Sequence, residues 1–173
     1  MICEQLNSTT WRLSFSESEA GFIINILARL ARHYLQDPDE MPPALRAYWQ
    51  GSIASPQQPL TSELRESQEM LSDSRAELRS ERLNLAEKWI REFEISENRD
   101  PWRVEISSEE RDEFVAMLND RRVTLALEMN ISHTDMEADP SHIAEKTRRS
   151  AILEIDVLGH FILVALGPQI YRP

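Results

Sequence analysis

Residues 102–131, WRVEISSEERDEFVAMLNDRRVTLALEMNI, decide how the chain folds. Trp102, Val104 and Ile106 alternate with Arg103 and Glu105, the period-two pattern of a half-buried strand. Ser107 stands three positions before Glu110, the spacing of a capping box. In that motif the serine oxygen accepts from an early helix amide, and the serine amide donates to the glutamate. The helix predicted beyond it sets Val115, Leu118, Arg122, Leu125 and Met129 on one face at steps of three and four. Arg122 interrupts this apolar stripe, with Asn119 one turn earlier.

The start of the chain has the same design. Trp11-Arg12-Leu13-Ser14-Phe15 alternates, Ser16 and Glu19 repeat the capping box, and the apolar run Phe22-Ile23-Ile24-Asn25-Ile26-Leu27 follows. Two such strand–helix units predict that the short strands pair as a ribbon with both helices packed beneath it. Two strands alone are only marginally stable, so the ribbon depends on those helices. The fold class expected is mainly α: a helical bundle with a small two-stranded β-ribbon built from the two Trp-Arg units.

Composition agrees. The 173 residues include only four glycines, and Glu, Arg, Leu and Ala are abundant, which favours helices. The length suits a single helical domain, residues 1–173. A formal net charge of −11 disfavours nucleic acid and anionic membranes, because phosphates need a basic surface. The lone Cys3 forms no internal disulfide or metal cluster and suits a reducing compartment. MICEQLNSTTW lacks the basic start and apolar core of a signal peptide. The apolar stretch 151–166 is shorter than a spanning helix and carries Glu154, Asp156 and His160. A cytoplasmic location with no membrane association is expected.

Between the two units, a first helix is expected over 16–35, broken by the prolines of QDPDEMPP at 36–43. Pro43 suits the first position of a short helix ending at Gly51, with Tyr48 and Trp49 as packing anchors. Residues 52–60 read as an internal flexible connector. The charged segment 61–93 carries Leu64, Leu71, Leu78 and Leu85 every seven residues, but Ser67, Ser74, Glu81 and Arg82 spoil a coiled-coil seam. The leucine ridge is therefore expected to lie against its own domain, most tightly near Trp89, Ile90 and Phe93. Asn98-Arg99-Asp100-Pro101 closes this region. Asp139-Pro140 marks a new helix start, leading to a nearly all-apolar helix that stops at Gly167-Pro168, either unbroken or bent near Arg149.

One polar constellation could carry chemistry. Asp156 and His160 lie one turn apart, Glu154 lies nearby, and Arg122 and Asn119 interrupt the preceding long helix. Buried charges must be paired, so Arg122 is expected to bridge Asp156 or Glu154, with Asn119 hydrogen-bonded beside it. Such a cluster could hold a small anion or support acid–base chemistry, and it could equally be a structural ion pair. The acidic stretch His133–Asp139 mimics the opening of a calcium loop, but Pro140 and Lys146 occupy positions that need glycine and glutamate. No dinucleotide, P-loop, thiol-pair, zinc-protease or nucleophile-elbow motif is present. Accordingly no catalytic residue, metal site or cofactor is assigned. His33 reads as a favourable cation at a helix C-terminus.

At Leu118-Asn119-Asp120-Arg121-Arg122-Val123 the chain resembles a bacterial family, the domain-of-unknown-function family two-zero-one-seven. The likeness extends over most of the chain outside 52–60, and Leu158-Gly159 matches a small step in the family's closing helix. Its specific motif is L-N-D-x-R, which carries over to Asn119, Asp120 and Arg122. The chain departs from the pattern at Ala126, where glycine is usual, and at Arg121, where an apolar residue is usual. The resemblance implies a one-domain helical protein of no established activity. The family's gene neighbourhood, often beside a Clp protease adaptor, implies a link to proteolysis.

The leading expectation is thus a non-enzymatic interaction or regulatory module whose acidic surface meets a basic protein partner, as a monomer or homodimer. The alternative is a small-anion or metabolite binder, or an enzyme, using Asn119, Arg122, Glu154, Asp156 and His160.

Overall fold

A computed structural model of the chain describes residues 1–51, 61–95, 102–137 and 139–167. The expected connector at 52–60, the Asn98–Pro101 boundary and Pro168 lie outside the described residues. Strands β1 (Ile2–Gln5), β2 (Thr10–Phe15) and β3 (Trp102–Ser107) accompany helices α1 (Glu17–Leu35), α2 (Pro43–Gln50), α3 (Ser62–Ile95), α4 (Ser108–Glu128), α5 (His133–Glu137) and α6 (Lys146–Leu166). The chain is mainly helical with a small antiparallel sheet.

The two Trp-Arg strands pair as expected. β2 and β3 run antiparallel with Arg12 opposite Glu105 and Leu13 opposite Val104. Trp11, Leu13, Phe15, Val104 and Ile106 point into the core, while Arg12 and Glu105 face water and close a 2.6 Å ion pair across the strands. The ribbon is wider than expected, however: β1 pairs with β2 on its other edge, giving the order β1-β2-β3. Asn7 builds the hairpin between them, its Oδ1 accepting from the amides of Thr9 and Thr10 at 3.0 and 2.9 Å. An asparagine closing its own turn is a local hairpin signal, separate from the paired Trp-Arg units.

Both capping boxes form. Ser16 caps α1 with Glu19, and Ser107 caps α4 with Glu110. The two units are also fastened to each other: Trp11 Nε1 donates to Ser108 Oγ at 3.2 Å, and the Arg111 guanidinium sits 4.2 Å over the Trp11 ring. Gly51 adopts the left-handed conformation that ends α2, with φ 64°. Trp49 is fully buried, edge-on to Tyr34.

α3 departs from expectation along its first half. Its fully buried face is Arg79, Arg82, Ala86, Trp89 and Phe93, stepping by three and four; of the heptad leucines, Leu78 and Leu85 are half-buried, Leu85 against the core as expected. Leu64 and Leu71 stay exposed, and Met70 is 74 % exposed. A seven-residue ridge drifts around a straight helix, so it cannot remain against one neighbour over several turns. At 34 residues the helix is about 50 Å long at ~1.5 Å per residue. Only its C-terminal part reaches the core, where Trp89 meets Phe114 and Phe93 meets Phe15.

After α4 the chain does not run as one helix from Pro140. Residues 140–142 make a single tight turn, and α6 begins only at Lys146. The acidic stretch folds as α5, whose Asp135 accepts from the Ser132 amide and pairs with Arg148 at 2.7 and 2.6 Å. α4 packs against α6 and α1 against α3, with the sheet over the main core. A smaller cluster of Leu125, Ala151 and Ile155 fills the far end of α4.

Candidate functional site

Asp120, 3 % exposed on α4, is the hub of a buried polar network. Tyr34 of α1 donates to its Oδ2 at 2.9 Å and Tyr48 of α2 to its Oδ1 at 2.7 Å. Arg82 of α3 reaches Oδ2 at 2.7 Å and turns its Nε to Glu113 at 2.9 Å. One carboxylate therefore collects a donor from each of the three helices around α4. Burial, reinforced by the Asp120 charge and hydrogen bond, pushes both tyrosine hydroxyls well above their ordinary range, so they remain neutral donors. Burial would lower the Arg82 pKa, but Asp120 and Glu113 outweigh it and leave a stable cation. Beside this centre Arg79 caps the C-terminus of α1, donating to the carbonyls of His33, Tyr34 and Gln36. Its guanidinium also lies 5.6 Å over the Trp49 ring.

A second set of charges joins α1, α4 and α6. Arg121, 3 % exposed, meets Glu154 at 2.8 Å and Glu128 at 3.4 Å. Arg29 approaches Glu154 at 3.4 Å, and His33 Nε2 lies 3.0 Å from Glu128. Burial raises the Glu128 carboxyl, but His33 and Arg121 more than offset it and hold it below the usual range.

These arrangements correct the expected cluster. The arginine that bridges α4 to Glu154 is Arg121, not Arg122. Asn119, Asp156 and His160 are exposed, and Asp156 makes no ion pair among the described residues. The reason is angular: the buried stripe of α6 is Ala151, Ile152, Ile155, Leu158, Phe161 and Ala165, which turns Asp156 and His160 towards water. α4 buries Leu118 and Leu125 as expected, but its buried face is centred about one residue earlier, taking in Phe114, Met117, Asp120, Arg121 and Thr124 and leaving Val115, Arg122 and Met129 half-buried. The carboxylate–histidine–arginine cluster is therefore not formed, and an acid–base pair with it.

Arg122 is instead half-buried on the rim of a groove of about 260 Å³ shared by α4, α5 and α6. Its Nε is buried with no hydrogen-bond partner. Asn119 and His133 share the rim with it, and Ile155 of α6 supplies the opposite wall. Within the described residues, no group of three or more His, Cys, Asp or Glu is placed to hold a metal, and no helix is long and apolar enough to cross a membrane. Comparison with protein-family models, with curated proteins and with solved structures gives no match.

Proposed function

We propose that the chain is a non-enzymatic interaction module that engages a basic protein surface through α3. The observation that carries this reading is the exposed face Glu63, Glu66, Met70, Asp73 and Glu77, which steps by three and four along the half of α3 that the core does not cover. None of those four carboxylates forms an ion pair among the described residues, so their charge is available to a partner. The single exposed methionine among them is a soft apolar contact in an otherwise electrostatic surface. An acidic ridge of this kind accelerates encounter with a cationic partner and rejects nucleic acid. The resemblance to the two-zero-one-seven family adds Clp-type proteolysis as the setting for such a partner. Asp120 and Arg121 are each held by several neighbouring protein groups, and that favours architecture over catalysis for them.

The test is binding of a candidate basic partner to wild type and to the variant Glu66→Lys/Asp73→Lys/Glu77→Lys over a series of salt concentrations. The expected result is strong binding by wild type at low salt, a steep fall as salt rises, and loss in the variant. Binding that is indifferent both to salt and to charge reversal would rule the acidic ridge out as the interface.

A further inference from the structure

We infer that the groove between α4, α5 and α6 is a binding site for a carboxylate carried on a short apolar chain, with Arg122 as its anchor. This assignment is independent of the α3 surface. Arg79, Arg82 and Arg121 each close on protein carbonyl or carboxylate oxygens. Arg122 does not. It makes neither a hydrogen bond nor an ion pair among the described residues, and its Nε is shielded from water as well. The guanidinium charge is thus unanswered among the described residues, and a ligand oxygen can meet it through the terminal nitrogens rather than through the shielded Nε.

The guanidinium also packs on a neighbouring helix. It lies against α6 at Gly159, where an added β-carbon would stand 3.7 Å from Cζ and Nη2. That contact packs one face of the planar fork against α6. The carboxylates closest along the chain are already engaged, Asp120 by Arg82 at 2.7 Å and Glu128 by Arg121 at 3.4 Å, and on α5 Asp135 pairs with Arg148 at 2.6 Å while Glu137 lies 3.3 Å from His133. Asp156, next to Ile155 on α6, points to water and forms no ion pair with Arg122. The cation at the groove is thus the one whose charge is unanswered there.

The rest of the lining selects the ligand. Val123, Ala126, Met136 and Ile155 present apolar walls next to the guanidinium. A guanidinium fork matches the two oxygens of a carboxylate, and the walls take a short aliphatic chain behind it. Inorganic phosphate would leave the walls empty. The lining offers a nucleotide base no Phe, Tyr or Trp ring to stack on. Two sources offer the required chemistry: a free short-chain carboxylic acid, or the terminal carboxylate of a peptide ending in an aliphatic residue.

Amide-resolved NMR titration tests the site with 4-methylpentanoate, with the neutral 4-methylpentan-1-ol, and with a short peptide ending in leucine in free-acid and amidated forms. Saturable shifts are expected at residues 119–136 and around Ile155 with the carboxylates. The alcohol and the amidated peptide should bind at least ~10-fold more weakly, as expected for loss of a charge-assisted hydrogen bond. Arg122→Met should lose the preference for the carboxylate. Ala126→Leu, which fills the apolar wall and leaves the arginine in place, should lose binding altogether. Tighter binding of the free-acid peptide assigns the source to a chain terminus, and tighter binding of 4-methylpentanoate assigns it to a small molecule. Silence from both carboxylates at millimolar concentration overturns the inference. So does equal binding of acid and alcohol to wild type, a result that needs no variant to fold.

Discussion

The Nε of Arg121 lies 2.8 Å from Glu154 Oε1, and this contact ties α4 to the closing helix α6. Arg121→Met should cost about 2 kcal/mol, less than the ~3–5 kcal/mol of a fully buried broken pair. The smaller figure follows because Arg29 still faces Glu154 and His33 still faces Glu128. Adding Glu154→Leu should recover part of the loss, as a packed apolar pair replaces a stranded charge. Urea denaturation of the single and double variants measures both effects.

Asp120 is the more costly position. Asp120→Leu leaves Arg82 buried beside two unpartnered tyrosine hydroxyls and should destabilise by about 4 kcal/mol. Tyr48→Phe removes one donor and leaves the carboxylate with two others, so a loss of about 1 kcal/mol is expected. If Asp120→Leu unfolded at the same urea concentration as wild type, the three-helix junction would not depend on this carboxylate.

Acid should weaken the fold from the carboxylate side. The Glu128 carboxyl is depressed in the folded chain, since His33 and Arg121 outweigh the upward push of burial. Glu110 is depressed too, with Lys88 and the Ser107 amide outweighing burial. A folded pKa below the unfolded value means that these groups stabilise the fold above the unfolded value, here near 4.5. That contribution disappears as pH falls through the lower folded value. Denaturation midpoints from about pH 6 to about pH 3 should therefore fall, and Glu128→Gln should flatten part of the decline.

The two ends of α3 should respond differently to truncation. Leu64→Ala and the triple charge reversal at Glu66, Asp73 and Glu77 should each change stability by less than about 0.5 kcal/mol, as exposed positions do. Trp89→Ala, within the core against Phe114, should cost about 3–5 kcal/mol. Thermal unfolding of the three variants checks the contrast.

Cys3 should resist alkylation at neutral pH. Burial pushes its thiol up, more than Arg111 lowers it, and Sγ lies 3.7 Å from the Ala165 carbonyl. The rate of reaction with a thiol reagent, native against denatured, is the measurement.

The local signals in the sequence carried the architecture. Both serine caps and the left-handed Gly51 depend on residues within a few positions of one another, and the pairing of the distant Trp-Arg strands was legible because one local pattern recurs at 11–19 and 102–110. What escaped depends on helix rotation. Arg121 and Arg122 differ by one step, about 100° around α4, and only the packing of α6 decides which one reaches Glu154. The leucine spacing of α3 was conspicuous, yet the buried face follows Arg79, Arg82, Ala86, Trp89 and Phe93, where two arginines hide the pattern. Asp120 did stand out in the L-N-D-x-R resemblance. Its three donors come from helices far apart in the chain, which no local spacing reveals.

Pairing of β2 with β3 has a kinetic consequence. Thr10 faces Ser107 with α1, α2 and α3 lying between them in sequence, so the central strand pair closes a very long loop. The entropy of that closure is not repaid until the intervening helices have docked and brought the ends together. Folding should therefore begin with contacts among helices, and the sheet should register last. Substitutions along the β2–β3 seam would then speed unfolding and leave the refolding rate nearly unchanged.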